Sequence, residues 1–350
     1  MKKSLLATTA IAALGAVAVA SPASAKFEVG VSGYMEQWFG YSDNKESVNA
    51  DSDVFDQFSD VEFNIDFKQT LDNGLTIGGQ IQVEGQQQAE NAASDIDEQY
   101  IFIDGSFGRL LIGSENGAPY LMHYGVASHG IGIDEGDVSS WVAGASGNLR
   151  RTSQTTAIDN DQNKITYFSP RVNGFQVGAS FVPAQDINLV VPAAAGQEAD
   201  GTRDSGWGVA GNYMTSVADM NIKASVGYMD AGGGVAGNQS ALSAGLNVGF
   251  GGFTASFAYG EHENDGGPAD ENVFGVGLGY KAGPAGVSIA YIRGENSDTN
   301  DEQDALEVGA SYVMGPGVTA KGSIYYVDRQ TGGADVANGV AVAAGLALSF

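Results

Sequence analysis

Side chains alternate between apolar and polar, residue by residue, along almost the whole chain. In residues 27–41, Phe27, Val29, Val31, Met35, Phe39 and Tyr41 share one phase, and Glu28, Ser32, Tyr34, Glu36 and Trp38 the other. In residues 59–70, Val61, Phe63, Ile65 and Phe67 alternate with Glu62, Asn64, Asp66 and Lys68. Beyond Leu71-Asp72-Asn73-Gly74, Leu75, Ile77, Ile81 and Val83 alternate with Thr76, Gln80, Gln82 and Glu84. A period of two belongs to strands, whose successive side chains point to opposite faces. The Asp-Asn-Gly between two such runs is a hairpin signal. The period predicts sixteen strands: 27–41, 59–70, 75–86, 97–104, 109–114, 164–170, 175–182, 205–215, 220–229, 239–249, 253–262, 271–280, 286–294, 304–313, 317–328 and 338–350. The run at 97–104 is the least regular, because Tyr100-Ile101-Phe102-Ile103 is apolar on both faces.

The connections are of two kinds. Leu71–Gly74, Gly105–Gly108, Arg171–Gly174, Ser216–Asp219, Gly251–Gly252, Lys281–Ala285 and Met314–Pro316 are short. Ser42–Phe58, Gln87–Ile96, Pro183–Asp204, Glu263–Asp270 and Glu295–Gln303 are longer, acidic and polar. Alternation of short turns with long loops gives the sheet two unlike ends, the layout of an all-β, antiparallel transmembrane barrel. A soluble sandwich would also alternate, but its outer face would carry Lys and Glu. Here the polar phase is often small, as in Ala341, Ala343, Gly345, Ala347 and Ser349 opposite Val340, Val342, Leu346, Leu348 and Phe350. Aromatics gather near strand ends, among them Phe175, Tyr213, Tyr228, Phe250, Phe253, Tyr280 and Tyr312, as in interfacial girdles. Closing sixteen strands leaves no edge unpaired in lipid and a lumen too wide for side chains to fill.

Residues 1–25 have the layout of a cleaved export signal. Lys2 and Lys3 precede an apolar run from Leu5 to Ala20 and an Ala23-Ser24-Ala25 cleavage site. The barrel domain is then expected to occupy 26–350. Losing the two leader lysines takes the formal charge from −26 to −28. With 42 acids against 16 Lys and Arg, the chain is a poor partner for nucleic acid. Without cysteine it has no disulfide, thiolate metal site or cysteine nucleophile.

One connection breaks the pattern. Residues 115–163 join two strands through a segment holding Tyr120, Leu121, Met122, Tyr124, Ile131, Ile133 and Trp141. A connection this long is usually functional or disordered, and these anchors can pack. The packing surface available in a wide barrel is its inner wall, so the segment is expected to fold inward as a constriction. Its acids Glu115, Asp134, Glu135 and Asp137 would place negative charge at the narrowest point, attracting cations. Lys68, Arg150, Arg151, Lys223 and Lys321 are the candidates for an opposing basic wall. Arg293 is also on a strand, but only Lys68, Lys223 and Lys321 are clearly in lumen phase.

The chain resembles the Gram-negative porins of alphaproteobacteria, the trimeric general-diffusion group, over essentially its whole mature length. The resemblance lies in FEVGVSGYMEQWFGY, in YIFIDGSFGRLLIGSENGAPYLMHYGVAS, in KITYFSPRVNGFQVGASFVP and in a last strand ending at Phe350. It implies a sixteen-stranded outer-membrane barrel with the third loop in the lumen, a homotrimer, and lipid and lipopolysaccharide as surroundings. It also implies that the terminal aromatic Phe350 is read by the barrel assembly machinery. Members often carry Arg where Ser114 stands, and its absence favours cation preference.

Oxygen-rich loop clusters, such as Asp51-Ser52-Asp53 and Asn296 to Glu302, can bind Ca²⁺, but they lack the spacing of a calcium hand and read better as solvated faces. His123, His129 and His262 are too scattered for a metal site or triad. No nucleophile–base–acid set stands out. The expected function is passive passage of small hydrophilic solutes and ions, with cations preferred and without cofactor or catalysis. The rivals are a substrate-specific channel and a non-conducting barrel serving as adhesin or anchor.

Overall fold

Period-two alternation with one apolar phase leaves a strand only two ways to hide its backbone: a sheet edge covered by something else, or closure. This chain closes. The computed structural model describes residues 27–47, 54–85, 95–134, 141–146, 149, 151–153, 161–183, 205–232, 237–265 and 270–350. The expected leader, residues 1–25, thus lies outside the described residues, as do Asp51-Ser52-Asp53, Glu135, Asp137 and Arg150.

Among the described residues sixteen strands follow one another: β1 (Glu28–Ser47), β2 (Val54–Thr70), β3 (Thr76–Gly85), β4 (Asp95–Gly105), β5 (Gly108–Ser114), β6 (Asn163–Phe168), β7 (Phe175–Val182), β8 (Gly206–Val217), β9 (Met220–Ala231), β10 (Gln239–Phe250), β11 (Phe253–Asn264), β12 (Glu271–Ala282), β13 (Ala285–Asn296), β14 (Asp301–Gly315), β15 (Val318–Thr331) and β16 (Ala334–Ser349). One short helix, α1 (Ala118–Leu121), interrupts the series between β5 and β6. Each strand pairs with its sequence neighbour, and β1 pairs antiparallel with β16 to close the barrel. The seam extends to the last residue: Gly33 N donates to the Phe350 carbonyl at 2.9 Å and Phe350 N to the Gly33 carbonyl at 3.1 Å.

Two expectations change. The strands outrun the apolar alternation, so much of the acidic sequence at 42–47, 54–58, 263–264, 295–296 and 301–303 is paired strand rather than loop. Polar side chains do not end a strand whose backbone has a neighbour to bond. Gly332 and Gly333 make a tight turn between β15 and β16 at the long-loop end, so long connections are not the rule there.

The outer face is apolar. Val29, Val31, Phe39, Phe63, Ile101, Val177, Phe257, Leu278, Ile289, Val308 and Leu346 are all exposed on it. Aromatic pairs sit toward its ends: Phe175 with Tyr213 at 4.3 Å, Phe253 with Tyr280 at 4.5 Å and Trp207 with Tyr228 at 5.6 Å between ring centroids. Arg293 belongs to this outer phase, binding Glu295, Glu302 and Asp304. Near the short-turn end, Tyr100 and Phe102 of β4 share the inward phase while Ile101 and Ile103 face out, which resolves the least regular run.

Candidate functional site

The segment after β5 enters the barrel and runs along its inside wall. Its path is set by a row of small residues in matching register. Ser180 on β7 faces Gly208 on β8, Ser225 on β9 faces Gly245 on β10, and Ser256 on β11 faces Gly277 on β12. Ser288 on β13 faces Gly309 on β14, which in turn faces Ser323 on β15. Odd strands supply a hydroxyl and even strands supply space.

The serines receive the loop's backbone. Ala118 N donates to Ser180 Oγ at 2.8 Å, Tyr124 N to Ser225 Oγ at 2.9 Å and Ala127 N to Ser256 Oγ at 2.8 Å. His129 N donates to Ser288 Oγ and Ile131 N to Ser323 Oγ, both at 2.8 Å. Buried backbone N–H groups need partners, and each such bond contributes about 0.5–1.5 kcal/mol net. The glycines let the backbone come this close. A Cβ on Gly245 would collide with the Tyr124 carbonyl, and one on Gly309 would stand 2.5 Å from Gly130 N.

Further along, at Ser128 to Gly132, the loop is held by a carboxylate. Glu307 on β14 is fully buried and accepts from Ser128 Oγ at 2.7 Å, Gly132 N at 3.1 Å and Ser323 Oγ at 2.6 Å. Around it, Ile131, Ile133, Trp141 and Val142 of the loop pack against Trp38, Val273, Ile292, Tyr325, Val327, Ala341 and Ala343 of the wall. Burying an Ile side chain contributes about 1.5–3 kcal/mol, so Ile131 and Ile133 alone hold this stretch firmly.

Inside the loop, Asp134 accepts from Val126 N at 2.8 Å, Thr152 N at 2.9 Å and Thr152 Oγ1 at 2.7 Å. Thr152 Oγ1 lies 3.1 Å from His123 Nε2. Burial pushes the His123 imidazole below its ordinary value, against the opposing pull of the Asp134 charge. His129 is likewise lowered, by burial first and the Lys281 charge second.

The remaining inner wall, on β1–β4, is acidic and rich in hydroxyls and amides. Ser32 Oγ and Gln80 Nε2 each donate to Asp66 at 2.9 Å, Tyr34 Oη donates to Asp60 at 3.2 Å, and Gln82 Nε2 donates to Glu62 at 2.7 Å. Glu36 and Glu98 lie on the same inner phase and are buried.

The sequence-chosen residues have the following places. Glu115 is buried at the start of the loop, where its carboxylate accepts from Asn116 N and its carbonyl from Lys164 Nζ. The Asp134 carboxylate is turned into the loop's own hydrogen bonds. Lys68 lies 3.7 Å from Glu28, and Lys321 lies 3.7 Å from Glu36 and 6.0 Å from the Trp38 ring centroid. Lys223 stands 5.8 Å from the Tyr124 ring centroid, and Arg151 is half-buried beside Thr152. The serine row, Glu307 and the acids of β1–β4 escaped the sequence reading. The signal for the serine row was a Ser followed by Phe, Val or Ile in each odd strand from β7 to β15.

A family model described as Gram-negative porin matches residues 7–332. No curated protein sequence matches the chain. Among solved structures, an anion-selective porin from Comamonas acidovorans superimposes with a TM-score of 0.65 at 15% identity, over 93% of this chain and 100% of that one. A triple mutant of the Rhodopseudomonas blastica porin gives a TM-score of 0.57 at 16% identity, over 92% of this chain and 100% of that one.

Proposed function

The chain belongs to the Gram-negative porin family, and from that premise we propose that it works as a homotrimeric, cation-preferring diffusion channel for small hydrophilic solutes in the outer membrane. A closed sixteen-stranded barrel with an apolar outside and a polar inside is built to carry water through lipid. The inward loop narrows that path. Solutes cross by diffusion, and the reading contains no catalytic step and no cofactor.

Cation preference is supported by the inner wall of β1–β4. Glu36, Asp60, Glu62, Asp66 and Glu98 line it; of the inward lysines, Lys68 and Lys321 each lie beside an acid and Lys223 stands near the Tyr124 ring. Acidic linings attract cations and repel anions. The chain's formal charge of −26 adds a field of the same sign. The anion selectivity of the Comamonas porin is that protein's property, and 15% identity speaks for the shared fold alone.

The homotrimer is supported by the outer face of β1 and β2. There Gln57 Nε2 donates to Gln37 Oε1 at 2.6 Å and Ser59 Oγ to the same oxygen at 2.8 Å. This polar trio interrupts the apolar phase between Met35 and Phe39 on one strand and between Phe55 and Val61 on the next. Polar side chains are costly against lipid and better placed against another protein surface.

The reversal potential across a planar bilayer in a KCl gradient tests the selectivity. A cation-positive potential is expected, and an anion-positive one would overturn it.

A further inference from the structure

Asn64, Gln82 and Glu98 lie side by side across β2, β3 and β4, since Asn64 pairs with Gln82 and Gln82 with Glu98. Just beyond, the register slips: Val83 pairs with Ile96, leaving Asp97 as an extra residue. Such bulges re-aim side chains and recur beside functional sites. From the start of the loop, Asn116 Nδ2 reaches this row by donating to Glu98 Oε1 at 3.0 Å.

Two amides here have orientations fixed by chemistry. Gln82 gives its Nε2 to Glu62 and Asn116 gives its Nδ2 to Glu98. Turning either amide over would set a carbonyl oxygen against a carboxylate oxygen. Gln82 is 8% exposed and Asn116 3% exposed, yet among the described residues Gln82 Oε1 and Asn116 Oδ1 have no hydrogen-bond donor. Asn64 Oδ1, in the same row, is a third buried acceptor without one among the described residues. Asp60 and Asp97 stand within charge range of Glu62. Buried acceptors among carboxylates call for a positive partner.

Every available donor atom is a hard oxygen, carboxylate or amide, and that set suits a hard divalent ion such as Ca²⁺. Among the described residues no group of three or more His, Asp or Glu could hold a metal by itself, so the amide oxygens must complete the set.

We propose that Glu62, Gln82, Glu98 and Asn116 form a divalent-cation site of the Ca²⁺ class, with Asn64 at its margin. It deepens the cation-preference reading and rests on it, because the ion arrives from the lumen. A bound ion ties the start of the loop to the β2–β4 wall. It also offsets part of the wall's negative charge, so Ca²⁺ weakens the preference for K⁺ over Cl⁻.

The test is calorimetric titration of the detergent-purified full chain with CaCl₂, paired with bilayer reversal potentials in KCl with and without Ca²⁺. Saturable binding of one ion per chain is expected, with affinity falling at least tenfold in Glu62→Gln and in Gln82→Met. Absence of saturable binding in the parent protein, or parent-like affinity in both variants, overturns the site. Heat-dependent electrophoretic mobility reports whether each variant is folded. Glu62→Gln keeps the size and an acceptor, so it carries the test alone if Gln82→Met does not fold. A cation-positive potential in Ca²⁺-free KCl with no Ca²⁺ binding removes the site and leaves the channel reading intact. An anion-positive potential with saturable Ca²⁺ binding removes the selectivity reading, and with it the lumen route claimed for the ion.

Discussion

Ser323 donates its hydroxyl to Glu307 Oε1 at 2.6 Å while accepting the backbone N–H of Ile131 at 2.8 Å. One serine thus joins a buried wall carboxylate to the loop that crosses the lumen. Glu307 also accepts from Ser128 Oγ and Gly132 N, so the same carboxylate holds the loop at three points, the third through Ser323.

Glu307→Leu removes the acceptor and leaves those donors buried. Orphaning a buried donor costs about 1–3 kcal/mol. The variant is expected to melt at a lower temperature by circular dichroism in detergent. Its single-channel conductance should be larger and noisier than the parent's, as the loop loosens around Ser128 to Gly132. Unchanged conductance would show that the loop is held elsewhere.

Gly245→Ala brings a methyl group against the Tyr124 carbonyl. Overpacking of this kind costs about 1–3 kcal/mol, and the easier relief is for the loop to leave the wall. The neighbouring Ser225 bond to Tyr124 N should then break. Conductance in planar bilayers should rise while the strand spectrum stays unaltered. The same change at Gly211, whose added Cβ would meet its nearest atom only at 3.8 Å, should leave the channel as it was.

Acid should loosen the loop through His123. Burial lowers its folded value, so the folded chain excludes a proton that the unfolded chain takes up near an ordinary value of about 6.5. The unfolded state therefore binds more protons below that pH, and stability falls as pH drops from about 6.5 toward the lowered folded value. Melting temperatures between pH 7.5 and 5 should fall for the parent and change less for His123→Gln. Parallel slopes for the two would assign the acid sensitivity to other groups.

Gln37→Glu combined with Gln57→Glu would set two charges on the outer face of β1 and β2. If another copy covers this face, the trimer should give way to folded monomer on mild gel electrophoresis. A trimer as resistant as the parent's would place the contact on other strands.

The barrel was legible because each strand repeats the same two-phase message, and sixteen copies of it outweigh any local ambiguity such as Tyr100 to Ile103. Strand ends were not, because backbone pairing continues past the point where side chains stop alternating, as at Glu295 and Asn296 against Asp301 and Glu302. The inward loop was legible from Ile131, Ile133 and Trp141, which are indeed buried against the wall. Its charge placement was not. Whether an acid faces water or a backbone N–H depends on where the chain turns, and Asp134 turns toward Thr152. Glu307 looked like any other acid in an alternating strand, because its partners lie 175 and 179 residues away in Gly132 and Ser128.

The serine row grips main-chain N–H groups, and these are the same for every residue except proline. Along that row the wall sets the loop's route without inspecting its side chains, and the packing of Ile131, Ile133 and Trp141 then anchors it. Filter and frame can thus drift separately: side chains facing the water can be exchanged to pass a different solute while the track beneath them stays put. For anyone wishing to build a new pore, this barrel offers a fixed socket with a rewritable insert.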